Sequence, residues 1–283
     1  MANRRTAETN WAGEAPLMRC VDCGGAMQPS DGDALDCSNC GRKYPVRDGV
    51  LQMMGDLQGN NKVAADFYDG PLWPKFRFWE HFTFFVNGGR KRCRRQVLKH
   101  LPDLSGTRLL EVAIGDGSNL PFIPDDCQVY GVDISTVQLA DCRRKFPGRD
   151  VRPILGEAER LPFREDTFDN VLSFGALNYF NDPLAAMKEM ARVCKPEGRI
   201  AVSDEYPGLT NKMLFRRIGL PQVDRWIMSR LLMLGPEFTD MIDRHRHMKI
   251  EPIMSESLDD WELHSLWMKV AYCVSGRPKK AGS

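Results

Sequence analysis

Downstream of Thr107 the chain alternates between two textures. Short apolar runs, TRLLEVAI, CQVYGVDI, VRPIL, TFDNVLSF and GRIAVSDE, are bounded by turn residues and read as buried strands. Between them lie helical stretches. STVQLADCRRKF opens on Ser135, a good N-cap, and DPLAAMKEMARVC opens on Asp182 with Pro183 at the first helical position. Strands alternating with helices predict an α/β domain with a parallel sheet and helices on both faces. The closing stretch, DWELHSLWMKVAYCVSGRP, reads as two antiparallel strands that bring the sheet to seven.

Upstream the periodicity changes. Residues 57–105 form a helical bridge dense in aromatic residues, DFYDGPLWPKFRFWEHFTFF followed by RKRCRRQVLKHL. Such rings usually pack as core, although some would suit the roof of a site for an apolar substrate. The run Arg90, Lys91, Arg92, Arg94 and Arg95 is the strongest basic cluster; it suits a solvated helix face or an RNA phosphate patch. After Glu205 an insertion of about residues 206–257, rich in Met and Leu, reads as a helical lid. Residues 1–15 and the terminal RPKKAGS read as flexible tails.

Composition narrows the class. The chain has 39 basic and 38 acidic residues, a net charge of +1, so bulk charge gives no sign of nucleic-acid binding. No apolar run approaches the roughly 18 residues of a membrane helix, and the first residues lack a secretory apolar core. Of nine cysteines, Cys20, Cys23, Cys37 and Cys40 form two C-x-x-C pairs within residues 16–56. Two such pairs complete a tetrahedral thiolate site for a structural zinc ion with no open position. The other five are scattered, which suits a cytoplasmic protein better than a disulfide scaffold.

In a parallel sheet, ligands bind beyond the carboxyl ends of the strands. The first strand ends at EVAIGDG, with Glu111, Ala113, Gly115, Asp116 and Gly117. A dinucleotide fingerprint would need a third glycine where Leu120 stands, and the two acids would repel phosphate. They would favour a cationic amino-acid moiety. The second strand ends at Asp133, whose carboxylate suits ribose hydroxyls. The third leads into Glu157 and Ala158, and the fourth into GALNYFNDP.

E-V-A-I-G-D-G, G-V-D-I-S, G-E-A-E-R-L-P-F and E-M-A-R-V-C-K-P-E-G-R, in that order, resemble the class I S-adenosylmethionine-dependent methyltransferases, especially the ubiquinone and menaquinone biosynthesis branch. The resemblance covers roughly residues 107–205 and implies a Rossmann-like fold. It implies that Glu111, Gly115 and Gly117 surround the methionine of S-adenosylmethionine. It puts Asp133 on the ribose, Ile134, Glu157 and Ala158 around the adenine, and Ser173, Phe174 and Gly175 beneath the sulfonium. Ala113 departs from the family's glycine. The segment from Cys20 to Met54 resembles the zinc ribbon of the tRNA-methyltransferase activator family, a partner of methyltransferases that would here be fused to one.

Methyl transfer needs a general base only when the acceptor arrives protonated. Asn178, Tyr179 and Glu205 at strand ends, with His81 or His245 from flanking segments, are the candidates. Two acceptor classes fit. One is a small apolar or aromatic metabolite such as a quinone, polyketide or lipid-like compound. The other is RNA, because rRNA guanine-N1 methyltransferases also join a cysteine zinc module to this fold and the Arg90–Arg95 run could serve RNA.

Overall fold

The structure, a computed structural model, describes residues 10–31 and 34–280. After a short helix α1 (Trp11–Glu14), three strands form a small antiparallel sheet: β1 (Met27–Pro29), β2 (Leu35–Cys37) and β3 (Lys43–Tyr44). Strands β4 (Val46–Arg47) and β5 (Val50–Gln52) follow, then helices α2 (Gly59–Asp69), α3 (Trp73–Val86) and α4 (Arg90–Leu98). The alternating domain contributes β6 (Arg108–Val112), β7 (Gln128–Asp133), α5 (Thr136–Lys145), β8 (Val151–Leu155), β9 (Phe168–Phe174), α6 (Pro183–Val193) and β10 (Cys194–Glu205). The insertion holds α7 (Leu214–Arg217), α8 (Pro221–Trp226) and α9 (Pro236–His245). Helix α10 (Ile250–Ser257) and strands β11 (Leu258–Leu266) and β12 (Ala271–Pro278) complete the chain.

The five expected strands pair in parallel in the order β8-β7-β6-β9-β10, and β12 and β11 add antiparallel at the β10 edge. These are the seven strands of the sequence reading. Val129, Leu109, Leu110, Leu172 and Ala201 are fully buried between helix layers, which is why their strands read as unbroken apolar runs. Both caps form as expected: the Ser135 side chain accepts from Gln138 N and the Asp182 side chain from Ala185 N.

The sheet nevertheless has nine strands. The stretch YPVRDGVLQMM lies within the segment that resembles a zinc ribbon, but the ribbon's sheet ends at Tyr44 and the hairpin β4–β5 joins the main sheet. Leu51 pairs with Ile154 and Gln52 with Leu155, in parallel, with β4 antiparallel outside. Burial explains this: Leu51 and Met53 lie in the same core as Val132 and Ile154, and the pairing covers the otherwise bare edge of β8.

The two tails are also corrected, as far as they are described. Residues 1–9 and 281–283 lie outside the described residues, but Trp11 is fully buried in the main core. Glu14 accepts from the Tyr130 hydroxyl at 2.5 Å and from Arg152 Nε at 2.6 Å. Arg277 and Pro278 belong to β12, and Lys279 N donates to Ser257 O at 2.9 Å. The insertion is shorter than expected, since α10 buries Met254 against the main core and belongs to the sheet's helix layer.

Truncating Trp11 to Ala should therefore cost about 3–5 kcal/mol, as for a large buried aromatic, measured by chemical denaturation. A loss within 0.5 kcal/mol would restore the tail reading.

Candidate cofactor cleft and acceptor chamber

A cavity of about 520 Å³ lies beyond the carboxyl ends of β6, β7, β9 and β10, with residues of α2, α3 and the insertion completing its walls. Of the cofactor candidates, Glu111, Ala113, Gly115, Asp116, Asp133, Ile134, Ala158, Phe174 and Gly175 line it. Asp133 is buried at the end of β7. It accepts from Gly115 N at 2.7 Å and Ser135 N at 2.9 Å, which ties the first two strand ends together. Burial raises its carboxyl to about 6 against those amide bonds.

Glu111 is more deeply buried. Its Oε1 accepts from Asn119 Nδ2 at 2.6 Å, and its Oε2 has no partner. Burial raises its carboxyl to about 7, opposed by the Asn119 bond and by nearby Arg94. The other side of Asn119 faces Arg94, whose Nη1 donates to Asn119 Oδ1 at 2.6 Å. Arg94 is buried, stacks over the rings of Phe174 and Phe84 at 4.8 and 5.6 Å, and its Nε has no partner. A guanidinium and a carboxylate, each with an unmet hydrogen-bonding atom, thus flank one amide at the cavity wall. A zwitterionic amino acid carries the two complementary charges.

Sequence reasoning missed Arg94, placing it in a surface cluster. Its signal was local: Cys93, Arg94 and Val97 share the buried face of α4. The same run sends Arg90 to Ser118 Oγ at 2.9 Å and to His81 at 3.1 Å.

Four candidates are placed differently from expectation. Asp116 is not available to a ligand cation, because Lys145 lies at 2.6 Å and Arg77 at 3.1 Å. Although burial opposes it, the bonds from Lys145 and Ser118 pull its carboxyl to about 2. Glu157 does not line the cavity; it is held by Asn61 Nδ2 at 3.1 Å and Arg160 Nη2 at 2.8 Å, leaving Gly156 and Ala158 at the wall. Gly117 is a packing position, where a Cβ would lie 2.6 Å from Cys142 Sγ. Ser173 is buried within β9 and does not reach the cavity.

The far half of the cavity is walled by Tyr68, Trp73, Phe76 and Phe238, with Met213 and Met228 from the insertion. Between this half and the strand ends, the Tyr179 hydroxyl donates to Glu205 Oε2 at 3.0 Å, and Asn178 Nδ2 to Glu205 O at 2.8 Å. Glu205 is exposed to the cavity, and desolvation by the protein around it raises its carboxyl, against the Tyr179 bond. Asp204 beside it is raised by burial and by the Glu205 charge; its oxygens take Asn178 N and Glu205 N, both at 2.8 Å. His245 lines the cavity, 2.6 Å from Asn60 Nδ2, whereas His81 is exposed and outside it.

In the ribbon the four cysteine sulfurs lie within 4.8 Å of one another, with Cys20–Cys40 at 3.7 Å and Cys23–Cys37 at 3.5 Å. A tetrahedron with metal–sulfur bonds of about 2.3 Å has edges of about 3.8 Å, so the donor set fits a zinc-sized ion. Gly24 and Gly41, one after each pair, both take φ +72°, the left-handed turn that folds each knuckle back on its sulfurs.

The family described as Methyltransferase domain matches residues 110–202. The chain is 38% identical over 146 residues to the demethylmenaquinone methyltransferase of Renibacterium salmoninarum, covering 51% of this chain and 59% of that protein. It is 34% identical over 184 residues to the ubiquinone/menaquinone biosynthesis C-methyltransferase of Geobacter sulfurreducens, covering 62% and 69%. The chain spans between 46% and 66% of the length of the first curated relatives it matches. Among solved structures, the phosphoethanolamine N-methyltransferase 2 of Haemonchus contortus, in complex with phosphomonomethylethanolamine and S-adenosylhomocysteine, superposes with a TM-score of 0.58. Its identity is 15%, over 76% of this chain and 60% of that one, a likeness of fold alone.

Ala113, in the family's glycine position, has φ +59° and lies at the cavity wall. An L-residue there is strained by roughly 1 kcal/mol. Ala113→Gly should raise stability by about 0.5–1 kcal/mol, or about 1–2 °C in Tm. An unchanged or lower Tm in a calorimetric scan would show that the alanine is not strained.

Proposed function

The chain belongs to the class I S-adenosylmethionine-dependent methyltransferases, and on that premise we propose that it methylates a small hydrophobic or aromatic metabolite of quinone, polyketide or lipid-like character. The observation that carries this is the aromatic and methionine-lined chamber that meets the strand ends at Glu205 and Tyr179. S-adenosylmethionine, when bound, supplies an electrophilic methyl group on a sulfonium.

The protein's own part is to hold and to exclude water. Glu111 would accept the cofactor's ammonium through its unpartnered Oε2, and Arg94 would pair with the carboxylate; each then meets the partner it lacks. Asp133, already fixed by two amides, would take the ribose hydroxyls, with Ile134 and Ala158 against the adenine. Phe174 and Gly175 would line the floor near the reacting carbon. Apolar walls would align the acceptor and limit the water that can compete. Where the acceptor arrives as a hydroxyl or an enol, Glu205 would take its proton. Desolvation by the surrounding cavity wall raises its carboxyl and so makes it a better base than a glutamate in open water. Asn178 and Tyr179 would orient it. In the ribbon, we propose a closed four-thiolate zinc site that crosslinks the N-terminal sheet and takes no part in catalysis.

The acceptor class is tested by incubating the purified protein and methyl-labelled cofactor with a panel of quinols, phenols and lipids, with bulk RNA in parallel. Label passing only into RNA would overturn it. For the cofactor, Asp133→Ala should abolish binding by calorimetry, and Arg94→Met should weaken it about 10- to 100-fold, as for a lost charged hydrogen bond. Glu111 and Asp133 are raised to about 7 and about 6 and must be ionised to receive the ligand. Affinity should therefore rise with pH from about 5 to 7.5 and then level, with protons released on binding. Without ligand the sign is opposite: these raised carboxyls favour the fold at low pH, and that stability is lost as pH climbs through 6 to 7. A pH-independent affinity would refute the Glu111 assignment. One zinc per chain is expected by metal analysis; no metal, with all four thiols titrating freely, would remove the ribbon site.

A further inference from the structure

Helix α3 carries aromatic residues on two faces. Trp73, Phe76 and Phe84 turn inward, two of them to the cluster around Phe67 and Met228 and Phe84 onto Phe174 and Trp267. Phe78, Phe82 and Phe85, spaced by four and three residues, form an outward stripe; Phe78 is 67% and Phe85 77% exposed. The insertion repeats the pattern. Met213, Met228 and Leu232 line the cavity, while Ile218, Leu220, Trp226 and Leu231 are exposed. Scattered apolar exposure is ordinary, but large rings and aliphatics gathered on the two elements that wall one cavity are not. Trp79 joins the sets, since it both lines the cavity and is exposed.

Charge identifies what these faces meet. Residues 71–99 and 209–235 hold 13 of the chain's 39 Lys and Arg but only 2 of its 38 acids. Those two turn inward: Glu80 lines the cavity and Asp224 is buried. The exposed apolar residues therefore sit among Lys75, Lys91, Arg92, Arg95, Arg217 and Arg230, with no exposed acid in either segment, in a protein that is otherwise acidic overall. Large apolar side chains flanked by cations are what the headgroup region of an anionic bilayer recognises: the rings enter the acyl boundary and the cations pair with phosphates. No helix among the described residues is long and apolar enough to cross a membrane, so the contact would lie on one leaflet.

We propose that the outer face of α3 and the insertion dock the protein on an anionic lipid surface, with the mouth of the cavity toward the bilayer. Docking stands on exposure and charge alone; only its corollary, that the acceptor enters the chamber from the lipid, rests on the functional reading above.

The test is co-sedimentation of the full chain with vesicles of phosphatidylcholine alone or with one third phosphatidylglycerol. Binding is expected to the anionic vesicles, to fall steeply as salt is raised and to be weak on neutral ones. The combined variant Phe78→Ser, Phe82→Ser, Phe85→Ser should lower partitioning roughly tenfold or more and leave cofactor affinity unchanged. Arg92→Gln with Arg95→Gln, which removes no apolar contact, should weaken binding at low salt and flatten the salt dependence. Equal binding to neutral vesicles, no binding to either, or tight binding to RNA in place of vesicles would overturn the proposal. So would concentration-dependent dimerisation that hides these faces. Vesicle binding without methylation of any lipid-soluble acceptor would support docking and count against the acceptor reading alone.

Discussion

The buried amide of Asn119 joins helix α4 of the bridge to the sheet. It accepts from Arg94 on α4 and donates to Glu111 on β6, both at 2.6 Å. The two charges are thereby held near each other without forming an ion pair. Burying a guanidinium and a carboxylate is costly unless each finds partners, and a relay through one neutral amide satisfies only part of each. Both residues line the cleft, and each keeps one buried atom without a partner. The same contact fixes the position of α4, hence of Gly88–Gly89 and of α3 beyond it, so the cofactor cleft and the acceptor chamber share one anchor. The stacking of Arg94 on Phe174 and Phe84 gives the guanidinium its remaining surroundings and brings the last turn of α3 onto the end of β9.

What could be read from the sequence was what local physics decides. The buried strands, both N-caps, the antiparallel closing pair and the clustered cysteines follow from periodicity, side-chain capping and ligand spacing, none of which depends on distant partners. What could not be read depended on partners far along the chain. Trp11 has no local pattern, and only its place in the core shows that residues 10–15 are not a tail. The hairpin β4–β5 carries too few residues to announce which sheet it joins; the unpaired edge of β8 decides. In the site, Glu111, Asp133 and Ala158 came to the cavity as the order of strand ends requires. Asp116 and Glu157 did not serve as expected, because Lys145, Arg77, Asn61 and Arg160 reach them from other elements. Arg94 was hidden by composition: five basic residues in a row of six read as one surface, although one helix turn separates a buried face from an exposed one.

Ala113 illustrates how a local rule can fail without disturbing the fold. The turn after β6 needs a left-handed residue at that point, and Ala113 N and Ile114 N both donate to Val132 O, at 2.8 and 3.2 Å, holding it there. The strain is small beside the parallel pairings on both sides of β6. A glycine is favoured at such a position but not required, so its absence says little about which ligand the turn receives.

Helix α3 links the chemistry to its surroundings through one constraint. A helix face rich in aromatic residues is ordinarily buried, yet α3 leaves the Phe78, Phe82 and Phe85 face uncovered among the described residues. Its inner face forms a wall of the chamber, and Arg77 and Glu80 on that face take part in the charge balance around Asp116 and Arg94. Whatever covers the outer face therefore bears on a wall of the acceptor chamber through a single helix. Apolar residues on the outside of a soluble wall would be a liability unless the covering surface is itself apolar, and the cations beside them set its charge as negative. The apolar or aromatic acceptor proposed for the interior is also one that would partition into such a surface. On the proposed acceptor and the proposed docking, the inner and outer faces of α3 would select for the same chemistry.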